Sequence, residues 1–476
     1  MLQRYRTQIA GELRQTARFQ VIKSPYDGQP VAEVGEADAN DLELALDRAH
    51  VAFESGQRPA THERATVLER IAHILQEKSG ELSELITRES GKPIRYARGE
   101  VARAALTFTL GAGESRRLGG EVLPIDQLPG GEGRLCLFER VPRGPIAAIA
   151  PFNFPVNLVA HKLSPALALG APSVLKPAQQ SPLSAHALGQ WLLEAGMPAN
   201  LLSVLHMPPE VAEKLVTDER IAVLSFTGSD SLGFRLKSLA GKKTVLLELG
   251  GNAPCVIDQG VNLDAIVPRV AEGCWANAGQ VCIKTQRVFV HRSLFADFVE
   301  RFVNYSERIA CGDPLREETV VGPLIEQKHV TRVLDWVREA KDGGARVLLG
   351  GHAEGQVVYP TILTNTSEKM RVCRDEVFGP VTVVEPVDSF EDALSACNRS
   401  RFGLQAGIFT NDVGRALSAF RSLRYGAVLI NETPMLRVDN YPYGGMKDSG
   451  LGREGVRYAM EEFSEPKVLI LAAPRA

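Results

Sequence analysis

Apolar residues form two kinds of pattern along the chain. From Asp41 to about Gly119 they recur at helical spacing, as in HERATVLERIAHILQEKSGELSELI, and charged residues four positions apart occupy the opposite face. From Pro145 to Leu249 short apolar runs alternate with amphipathic stretches. The first part therefore predicts a series of helices, and the second predicts strands that alternate with helices.

The alternating part contains five apolar runs separated by four helices. The runs are PIAAIA, SVLK, LLSVLH, AVLSF and TVLLEL, and the helices begin near Asn157, Leu183, Pro209 and Ser229. Strands joined by helices pair in parallel through right-handed crossovers, which predicts a doubly wound sheet. Such sheets bind ligands at the carboxyl ends of their strands.

A second α/β region extends from APCVI at about residue 253 to GAVLIN, which ends at Asn431. Segments 133–144 and 467–473 have the composition of strands outside both regions, and an unpaired strand invites a partner. We expect an α/β fold of two doubly wound domains with a small β extension for oligomerisation, as a homodimer or homotetramer. The predicted boundaries are 1–120 with 145–250 for the first domain, 251–440 for the second, and 121–144 with 455–476 for the extension.

Composition narrows the range of partners. The chain has 476 residues and a formal net charge of -3, from 54 basic and 57 acidic residues, without a long block of one sign. This balance argues against nucleic acid or an anionic membrane as a partner. The seven cysteines are scattered and lack metal-site spacing, so we expect no metal and a reducing cytoplasm. We expect neither a signal peptide nor a membrane span, since the start has no apolar h-region and no apolar run reaches about 18 residues.

Polar residues and glycines follow the predicted strands at the edge where such a sheet binds ligands. They are Asn153 in APFNFP, Lys176 in LKPAQQ, Thr227, Gly228 and Ser229 in SFTGS, and Glu248 with Gly250 in LELGGN. Each also has a plain structural explanation as a turn residue, a surface lysine, a helix N-cap or a solvated strand end. Together they fit a nucleotide cradle with a glycine turn, a helix N-terminus and a lysine, although no GxGxxG is present.

One cysteine stands among small and polar residues in NAGQVCIKTQ, with a glycine three positions before it. Cys282 is either a core residue or a nucleophile, because free cysteines are usually buried and inert. The surrounding motifs decide between these two explanations.

The motifs PFNFP, LKP, FTGS, LELGG, NAGQVC, EVFGPV and YPYGGMKDSGLGREG occur in an order that resembles the aldehyde dehydrogenase superfamily, from about residue 20 to the end. The resemblance is closest to the branch of lactaldehyde and non-phosphorylating glyceraldehyde-3-phosphate dehydrogenases. It implies that the first domain binds a dinucleotide and the second is catalytic. It also implies a nucleophile, a general base and an oxyanion donor, which are Cys282, Glu248 and Asn153.

The resemblance further implies a cofactor site for NAD or NADP. Lys176 and Ser229 would hold the adenosine and pyrophosphate half, and Glu376 and Phe378 the nicotinamide half. The other implied cofactor residues are Pro151, Phe152, Gln179, Thr227, Gly228, Leu249 and Gly250. Many NAD-preferring relatives have a glutamate where this chain has Gln179, and a neutral amide tolerates a 2′-phosphate. We therefore expect both cofactors to bind.

The chemistry requires these residue types. A thiol with a pKa of about 8.5 is only a few per cent thiolate at pH 7, so the site must lower that pKa or supply a base. Attack on an aldehyde gives a tetrahedral oxyanion, for which one donor such as the Asn153 amide is typically worth about 3 kcal/mol. After hydride transfer, Glu248 would deprotonate the water that hydrolyses the thioester. No histidine lies in a recognisable catalytic motif, which favours an acid product over an acyl phosphate.

The substrate pocket follows by motif offset from the family and comprises Arg103, Phe154, Asn157, His161, Val281, Ile283, Arg437 and Tyr443. Alternatives stay open: Arg103 pairing along its helix, His161 in the core, and Arg437 as a surface charge. Phosphate-handling relatives have an arginine before the cysteine, where this chain has Val281, so a hydroxy-aldehyde or singly charged semialdehyde is preferred. The rival functions are a catalytically silent binding protein and a thiol esterase.

Overall fold

The computed structural model of the protein describes residues 2–472. Its strands are β1 (Arg4–Tyr5), β2 (Thr7–Ile9), β3 (Glu12–Arg14), β4 (Arg18–Lys23), β5 (Pro30–Glu36), β6 (Glu121–Leu123), β7 (Arg134–Pro142), β8 (Ile146–Ile149), β9 (Ser173–Lys176), β10 (Leu202–Val204), β11 (Val223–Thr227), β12 (Thr244–Glu248), β13 (Ala253–Ile257), β14 (Thr285–His291), β15 (Arg346–Leu349), β16 (Ala353–Glu354), β17 (Val357–Val358), β18 (Thr361–Thr364), β19 (Val381–Val387), β20 (Phe402–Gly403), β21 (Gln405–Phe409), β22 (Ala427–Ile430), β23 (Met446–Lys447), β24 (Gly450–Leu451) and β25 (Ser464–Ala472).

The helices are α1 (Ala39–Glu54), α2 (Thr61–Glu77), α3 (Ser79–Ser90), α4 (Ile94–Arg117), α5 (Asn157–Leu169), α6 (Leu183–Glu194), α7 (Pro209–Thr217), α8 (Asp230–Leu239), α9 (Leu263–Trp275), α10 (Arg292–Ser306), α11 (Gln327–Asp342), α12 (Arg371–Arg374), α13 (Phe390–Asn398), α14 (Val413–Ser422) and α15 (Val456–Phe463). Two short 3-10 helices cover Ala199–Leu201 and Ala276–Gly279.

The first sheet has eight strands in the order β24-β12-β11-β8-β9-β10-β2-β3. Its five central strands are the five predicted apolar runs, and they pair in parallel. The helices between them begin at Asn157, Leu183, Pro209 and Asp230, so the doubly wound arrangement is confirmed. The edge strands β2, β3 and β24 are antiparallel additions that the local pattern did not predict.

Strand order reverses between β8 and β11, because the chain returns to the other side of β8 after β10. Asn153 follows β8, and Lys176, Thr227 and Glu248 are the last residues of β9, β11 and β12. The carboxyl ends of parallel strands meet at one edge of a sheet, so these side chains lie at the crevice where such folds bind ligands.

The second sheet has seven strands in the order β15-β18-β19-β14-β13-β21-β22, all parallel except β15. Helices α9 and α10 pack beside it around a separate core, in which Trp275, Phe298 and Phe302 are fully buried and stacked. This sheet carries the segment that follows α9 and contains Cys282.

Helices α1 to α4 form the predicted helical region before the first sheet. The longest, α4, packs against α2 and α5. A Cβ atom at Gly111 would lie 2.1 Å from Ser164 Oγ, so the absence of a side chain at this position lets α4 approach α5 closely. This contact sets the distance between the two helices that flank the site described below.

The outer segments pair with each other instead of remaining unpaired. β25 runs antiparallel to β7 from Ser464 opposite Pro142 to Ala472 opposite Arg134, and β6 adds the third strand. Val468 and Ile470 of β25 are 57% and 55% exposed. Ala473 and the rest of the predicted extension lie outside the described residues.

Among residues 2–472 no helix has the length and apolar character needed to span a membrane. The same residues contain no group of three or more histidine, cysteine, aspartate or glutamate side chains arranged to hold a metal ion.

Candidate active site

Cys282 lies in a tight loop between the 3-10 helix Ala276–Gly279 and β14. Asn277 and Ala278 have φ angles of 53° and 54°, in the left-handed region that non-glycine residues rarely adopt. The Gln280 side chain holds this strained loop, since its amide donates to the Pro323 carbonyl at 3.2 Å and its oxygen accepts from Ile325 N at 3.0 Å. The loop therefore presents Cys282 from a fixed backbone.

The Cys282 thiol is partly exposed, and its Sγ lies 3.4 Å from Tyr443 Oη. Burial raises the pKa of this thiol to about 11, although the Tyr443 hydrogen bond and the Arg437 charge oppose the shift; Glu376 and Glu248 add to it. The side chain is consequently a protonated thiol at neutral pH, and nucleophilic attack requires a base.

Glu248 ends β12 and is 3% exposed, and neither of its carboxyl oxygens has a hydrogen-bond partner among residues 2–472. Burial raises the pKa of Glu248 well above its usual value, and the charge of Glu454 raises it further, while Arg437 and Lys162 oppose the shift. A buried carboxyl group without partners is costly for stability and is expected where chemistry uses it.

Asn153 is buried, and its side-chain amide donates to the Gln280 carbonyl at 2.9 Å. The amide therefore lies against the loop that carries Cys282, and it has a second N–H group. Gly251, after β12, approaches the same loop: a Cβ atom there would lie 2.2 Å from the Cys282 carbonyl oxygen. The structure thus brings the ends of β8 and β12 to the cysteine loop.

Lys162 and Glu454 lie behind Glu248 and were not among the predicted site residues. Lys162 Nζ donates to Thr227 Oγ1 at 2.7 Å, to Ser225 Oγ at 3.1 Å and to Glu454 Oε1 at 3.2 Å. Burial alone would raise the pKa of Glu454, but Lys162 and Arg437 outweigh it and lower that pKa to about 2. The sequence signal was a lysine inside the apolar helix NLVAHKLSPALAL.

Three of the predicted cofactor residues end strands or begin a helix at the crevice. Lys176 is 9% exposed, and within the described part of the chain its Nζ donates only to the Pro177 carbonyl, at 3.2 Å; burial lowers the pKa of Lys176 to about 8. Ser229 caps α8 by accepting a hydrogen bond from Leu232 N at 3.4 Å, so the N-cap explanation given for it in the sequence analysis holds. Thr227 instead contacts Lys162.

The predicted nicotinamide residues lie nearer to Cys282. Glu376 Oε1 accepts from Gly251 N at 2.9 Å, and burial raises the pKa of Glu376 to about 7. The Phe378 ring meets Phe152 edge to face at 5.9 Å, and Phe378 has a left-handed φ of 45°. A Cβ atom at Gly250 would lie 2.5 Å from the Glu376 carboxylate, so a larger residue at this position would displace that carboxylate.

Gln179 belongs to a small network of uncharged groups. Its Nε2 lies 3.1 Å from Gln20 Oε1 and 3.2 Å from His206 Nε2, and its Oε1 is buried without a partner in the described range 2–472. Burial lowers the pKa of His206 to about 3, so the imidazole is neutral. An acceptor oxygen without a partner fits a hydroxyl donor from a ligand.

A cavity of about 210 Å³ opens beside Cys282 and is called the Cys282 cavity below. Seven of the eight predicted substrate residues line it: Arg103, Phe154, Asn157, Val281, Ile283, Arg437 and Tyr443. Lys92, Arg95, Tyr96, Gly99, Glu100 and Met435 also line it and were not predicted. His161 lies outside the lining, since it is fully buried with Nε2 2.8 Å from Asp439 Oδ1.

The two predicted substrate arginines already have carboxylate partners. Arg103 donates to both oxygens of Asp439, at 3.1 and 2.6 Å, instead of pairing along its own helix. Arg437 is buried rather than on the surface; it donates to Glu454 at 3.1 Å and lies 3.6 Å above the Tyr443 ring. These pairs neutralise much of the positive charge that the sequence placed in the cavity.

Residues 13–469 match the aldehyde dehydrogenase family. The chain is 40% identical over 471 residues to the 3-sulfolactaldehyde dehydrogenase of Priestia aryabhattai, covering 99% of this chain and 98% of that protein. Its structure matches aldehyde dehydrogenase 21 of Physcomitrella patens in complex with the reaction product succinate, with a TM-score of 0.97, 39% identity and 99% coverage of both chains.

The structure also matches a glyceraldehyde-3-phosphate dehydrogenase of Methanocaldococcus jannaschii complexed with NADP, with a TM-score of 0.92 and 35% identity over 96% of this chain and 100% of that one. The resemblance drawn from the sequence motifs and the α/β fold class are thereby confirmed, and the chain belongs to the aldehyde dehydrogenase family.

Proposed function

We propose that this enzyme oxidises a short aldehyde with a hydroxyl or singly charged tail to the carboxylic acid, through a thioester on Cys282. The observation that carries the proposal is a partly exposed thiol in a cavity, under the electrostatic influence of a buried carboxyl group that has no hydrogen-bond partner. These are the two groups that acyl transfer through a cysteine requires.

The first half-reaction forms a carbon–sulfur bond. Glu248 accepts the thiol proton as Sγ adds to the carbonyl carbon, and the carbonyl electron pair moves to oxygen. The Asn153 amide and the Cys282 backbone N–H are the donors for that oxyanion. When bound, NAD or NADP accepts hydride from this carbon, which leaves the thioester.

The second half-reaction breaks the thioester. Glu248 first releases the thiol proton to solvent and then removes a proton from water as the hydroxide adds to the acyl carbon. The carbon–sulfur bond breaks, the acid is released, and the proton on Glu248 returns to the Cys282 thiolate. Burial raises the pKa of Glu248, so its basicity is greater than that of a solvated carboxylate. Glu454 and Lys162 support this role through charge rather than through contact with the substrate.

The cofactor is NAD or NADP, and the residues at the crevice fit it. Lys176 has only one hydrogen bond, so its ammonium has donors left for ribose hydroxyls, and the unpaired Gln179 oxygen is an acceptor for another. No carboxylate hydrogen-bonds Gln179. This neutral setting supports the binding of both cofactors.

The three-stranded sheet supports assembly as a homodimer or homotetramer. The exposed apolar side chains of β25 lie in the sheet formed by the outer segments, where a second copy would cover them. We also propose a reducing cytoplasmic location, since the seven cysteines are free thiols.

A panel of aldehydes assayed with NAD and NADP tests the proposed function. Lactaldehyde, glyceraldehyde and succinate semialdehyde should have higher kcat/KM than butanal, since the cavity is lined by polar as well as apolar side chains. Glyceraldehyde-3-phosphate should be a poorer substrate. Val281 stands where the phosphate-handling relatives have an arginine, and Arg103 and Arg437 are already paired with carboxylates. Ester turnover without reduction of either cofactor would instead identify a thiol esterase, and no turnover at all would identify a silent binding protein.

Replacing Cys282 by alanine should abolish aldehyde oxidation, because the sulfur forms the covalent bond. Cofactor binding, measured by fluorescence titration, should stay within about twofold of wild type, since the crevice residues are unchanged. Turnover within tenfold of the wild-type rate would exclude Cys282 as the nucleophile.

Glu248→Gln should slow thioester hydrolysis more than hydride transfer, because water is the weaker acid to activate. Rapid mixing should give a stoichiometric burst of reduced cofactor followed by a slow steady state. In the wild type, the steady rate should rise with pH, since the raised pKa of Glu248 leaves little carboxylate at low pH. Loss of the burst together with steady turnover would show that acylation depends on Glu248 as strongly as hydrolysis does, and the predicted order of the two effects would be wrong.

Gln179→Glu should shift the kcat/KM ratio toward NAD, because a carboxylate accepts ribose hydroxyls and repels a 2′-phosphate. Gln180→Glu is the matched control, since it makes the same charge change at a side chain that faces Glu326 instead. Equal fractional losses with NAD and NADP in the Gln179 variant would show that this residue does not face the ribose.

A further inference from the structure

Three positions on α4 line the Cys282 cavity at a spacing of four residues: Arg95, Gly99 and Arg103. Residues four apart lie on the same face of a helix, one turn above another. At a rise of about 1.5 Å per residue, the two arginines are about 12 Å apart along the helix axis. One face of α4 therefore places an arginine at each end of a single stretch of the cavity wall.

The cations of this cavity differ in whether a carboxylate neutralises them. Lys92 pairs with Glu100, Arg103 with Asp439, and Arg437 with Glu454. Arg95 is exposed and also lines the cavity, but it forms neither an ion pair nor a hydrogen bond with the residues between 2 and 472.

The contacts around Arg95 leave its charge available. The guanidinium carbon of Arg95 lies 5.3 Å from the centre of the Tyr96 ring. Glu272 accepts a hydrogen bond from the Tyr96 hydroxyl at 2.6 Å and lies outside the cavity lining. Of the four cations that line the cavity, Arg95 is therefore the one without a carboxylate partner among residues 2–472.

Gly99 lies between the two arginines and leaves space. A Cβ atom built there meets no heavy atom within 4 Å, so neither packing nor backbone geometry requires a glycine. Glycine in a helix interior is unfavourable relative to alanine. The glycine lowers the stability of the helix without relieving a clash. Its presence on the cavity wall is explained if a ligand occupies the space above it.

We propose that Arg95 and the open space over Gly99 form a subsite for a singly charged anionic group, a carboxylate or a sulfonate, at the tail of the aldehyde. This inference rests on the proposed function and names the part of the site that selects the substrate. One uncompensated cation matches one negative charge, whereas a phosphate dianion would leave one charge without a partner. Arg103, 28% exposed and held by Asp439, borders the other end of this space.

The test compares Arg95→Gln and Arg95→Lys with Arg98→Gln as the matched control. Arg98 lies on the same helix, pairs with Glu317 at 2.6 Å and does not line the cavity. The substrates are succinate semialdehyde, its sulfonate analogue 3-sulfopropanal, glyceraldehyde-3-phosphate and butanal. Arg95→Gln should lower kcat/KM for the two singly charged aldehydes by about 10- to 100-fold, through KM, and change it for butanal by less than about twofold.

Three further results support the subsite. Arg95→Lys should recover part of the loss, and Arg98→Gln should have no effect on either substrate class. Raising the salt concentration should raise KM for the anionic aldehydes in the wild type more than in Arg95→Gln, because an exposed charge pair is screened. The ratio of succinate semialdehyde to 3-sulfopropanal decides which of the two anions the site prefers.

Gly99 provides an independent variant that should not unfold. Alanine or leucine has a higher helix propensity than glycine, and open space surrounds the position, so the Tm should not fall. Gly99→Leu should lower kcat/KM for succinate semialdehyde or 3-sulfopropanal by about tenfold or more, yet leave acetaldehyde, which has no tail, within about twofold. Equal rates for tailed and short aldehydes would show that the tail does not cross this space.

Calorimetry separates this inference from the proposed function. Succinate and 3-sulfopropanoate, the acids of the two aldehydes, should bind the wild type and bind Arg95→Gln at least about tenfold more weakly. If the acids bind in this way but no aldehyde is oxidised, the subsite stands and the dehydrogenase proposal falls. Suppose instead that aldehydes are oxidised. The subsite is then overturned if Arg95→Gln lowers kcat/KM equally for butanal and for the anionic aldehydes, or if this variant binds both acids as tightly as the wild type does. A larger Arg95 effect on glyceraldehyde-3-phosphate would overturn the choice of a singly charged group.

Discussion

A row of buried ion pairs determines where the other parts of the active site lie. Asp439 binds Arg103 of α4, and Glu454 binds Lys162 of α5, so the segment 437–454 is fastened to both helices. Removing one partner of a buried pair typically costs about 3 to 5 kcal/mol, because it leaves an uncompensated charge. Because these ion pairs fix the segment, Tyr443 lies within 3.4 Å of the Cys282 sulfur, and the segment encloses the cavity between the two sheets.

The same pairs shift the pKa values of the carboxyl groups at the candidate site. Lys162 and Arg437 keep Glu454 ionised, and the negative charge of Glu454 then raises the pKa of Glu248, second only to burial. A higher pKa makes Glu248 a stronger base but reduces the fraction that is ionised at neutral pH. The positive charges of Arg437 and Lys162 oppose the rise in pKa and so limit the loss of the ionised form. The network therefore balances the basicity of Glu248 against the fraction of it that is ionised.

Local patterns predicted local structure well. The starts of α5, α6 and α7 follow from residue periodicity alone, because the residues that form the apolar face of a helix lie within one short stretch of sequence. Strand pairings between distant parts of the sequence could not be predicted. For example, β2 and β24 join the first sheet from opposite ends of the sequence. Arg103 was predicted to line the substrate pocket by motif offset from the family, and it lines the Cys282 cavity, but nothing near it in sequence indicates its partner Asp439, which lies 336 positions away.

Arg95 was missed for the opposite reason. In sequence it resembles any arginine on a solvated helix face, and only the folded cavity distinguishes it from Arg98 on the next turn. Sequence reasoning therefore identified the cavity arginines that match family positions, and it missed one that is distinguished by having no carboxylate partner among residues 2–472. The motifs identify which residues meet at Cys282, but they do not identify which charges remain uncompensated there.

This division of charges constrains how the specificity of the site can change. Arg437 cannot be reassigned to a substrate anion without releasing Glu454, and that would alter the base as well as the pocket. Arg95 contacts neither carboxylate, so its replacement leaves the pairs at Asp439 and Glu454 intact. Distant sites act additively, whereas members of one network do not. Under the proposed mechanism, selectivity for the tail can therefore vary at the rim of the cavity, on α4, while the buried pairs keep the surroundings of Cys282 and Glu248 constant.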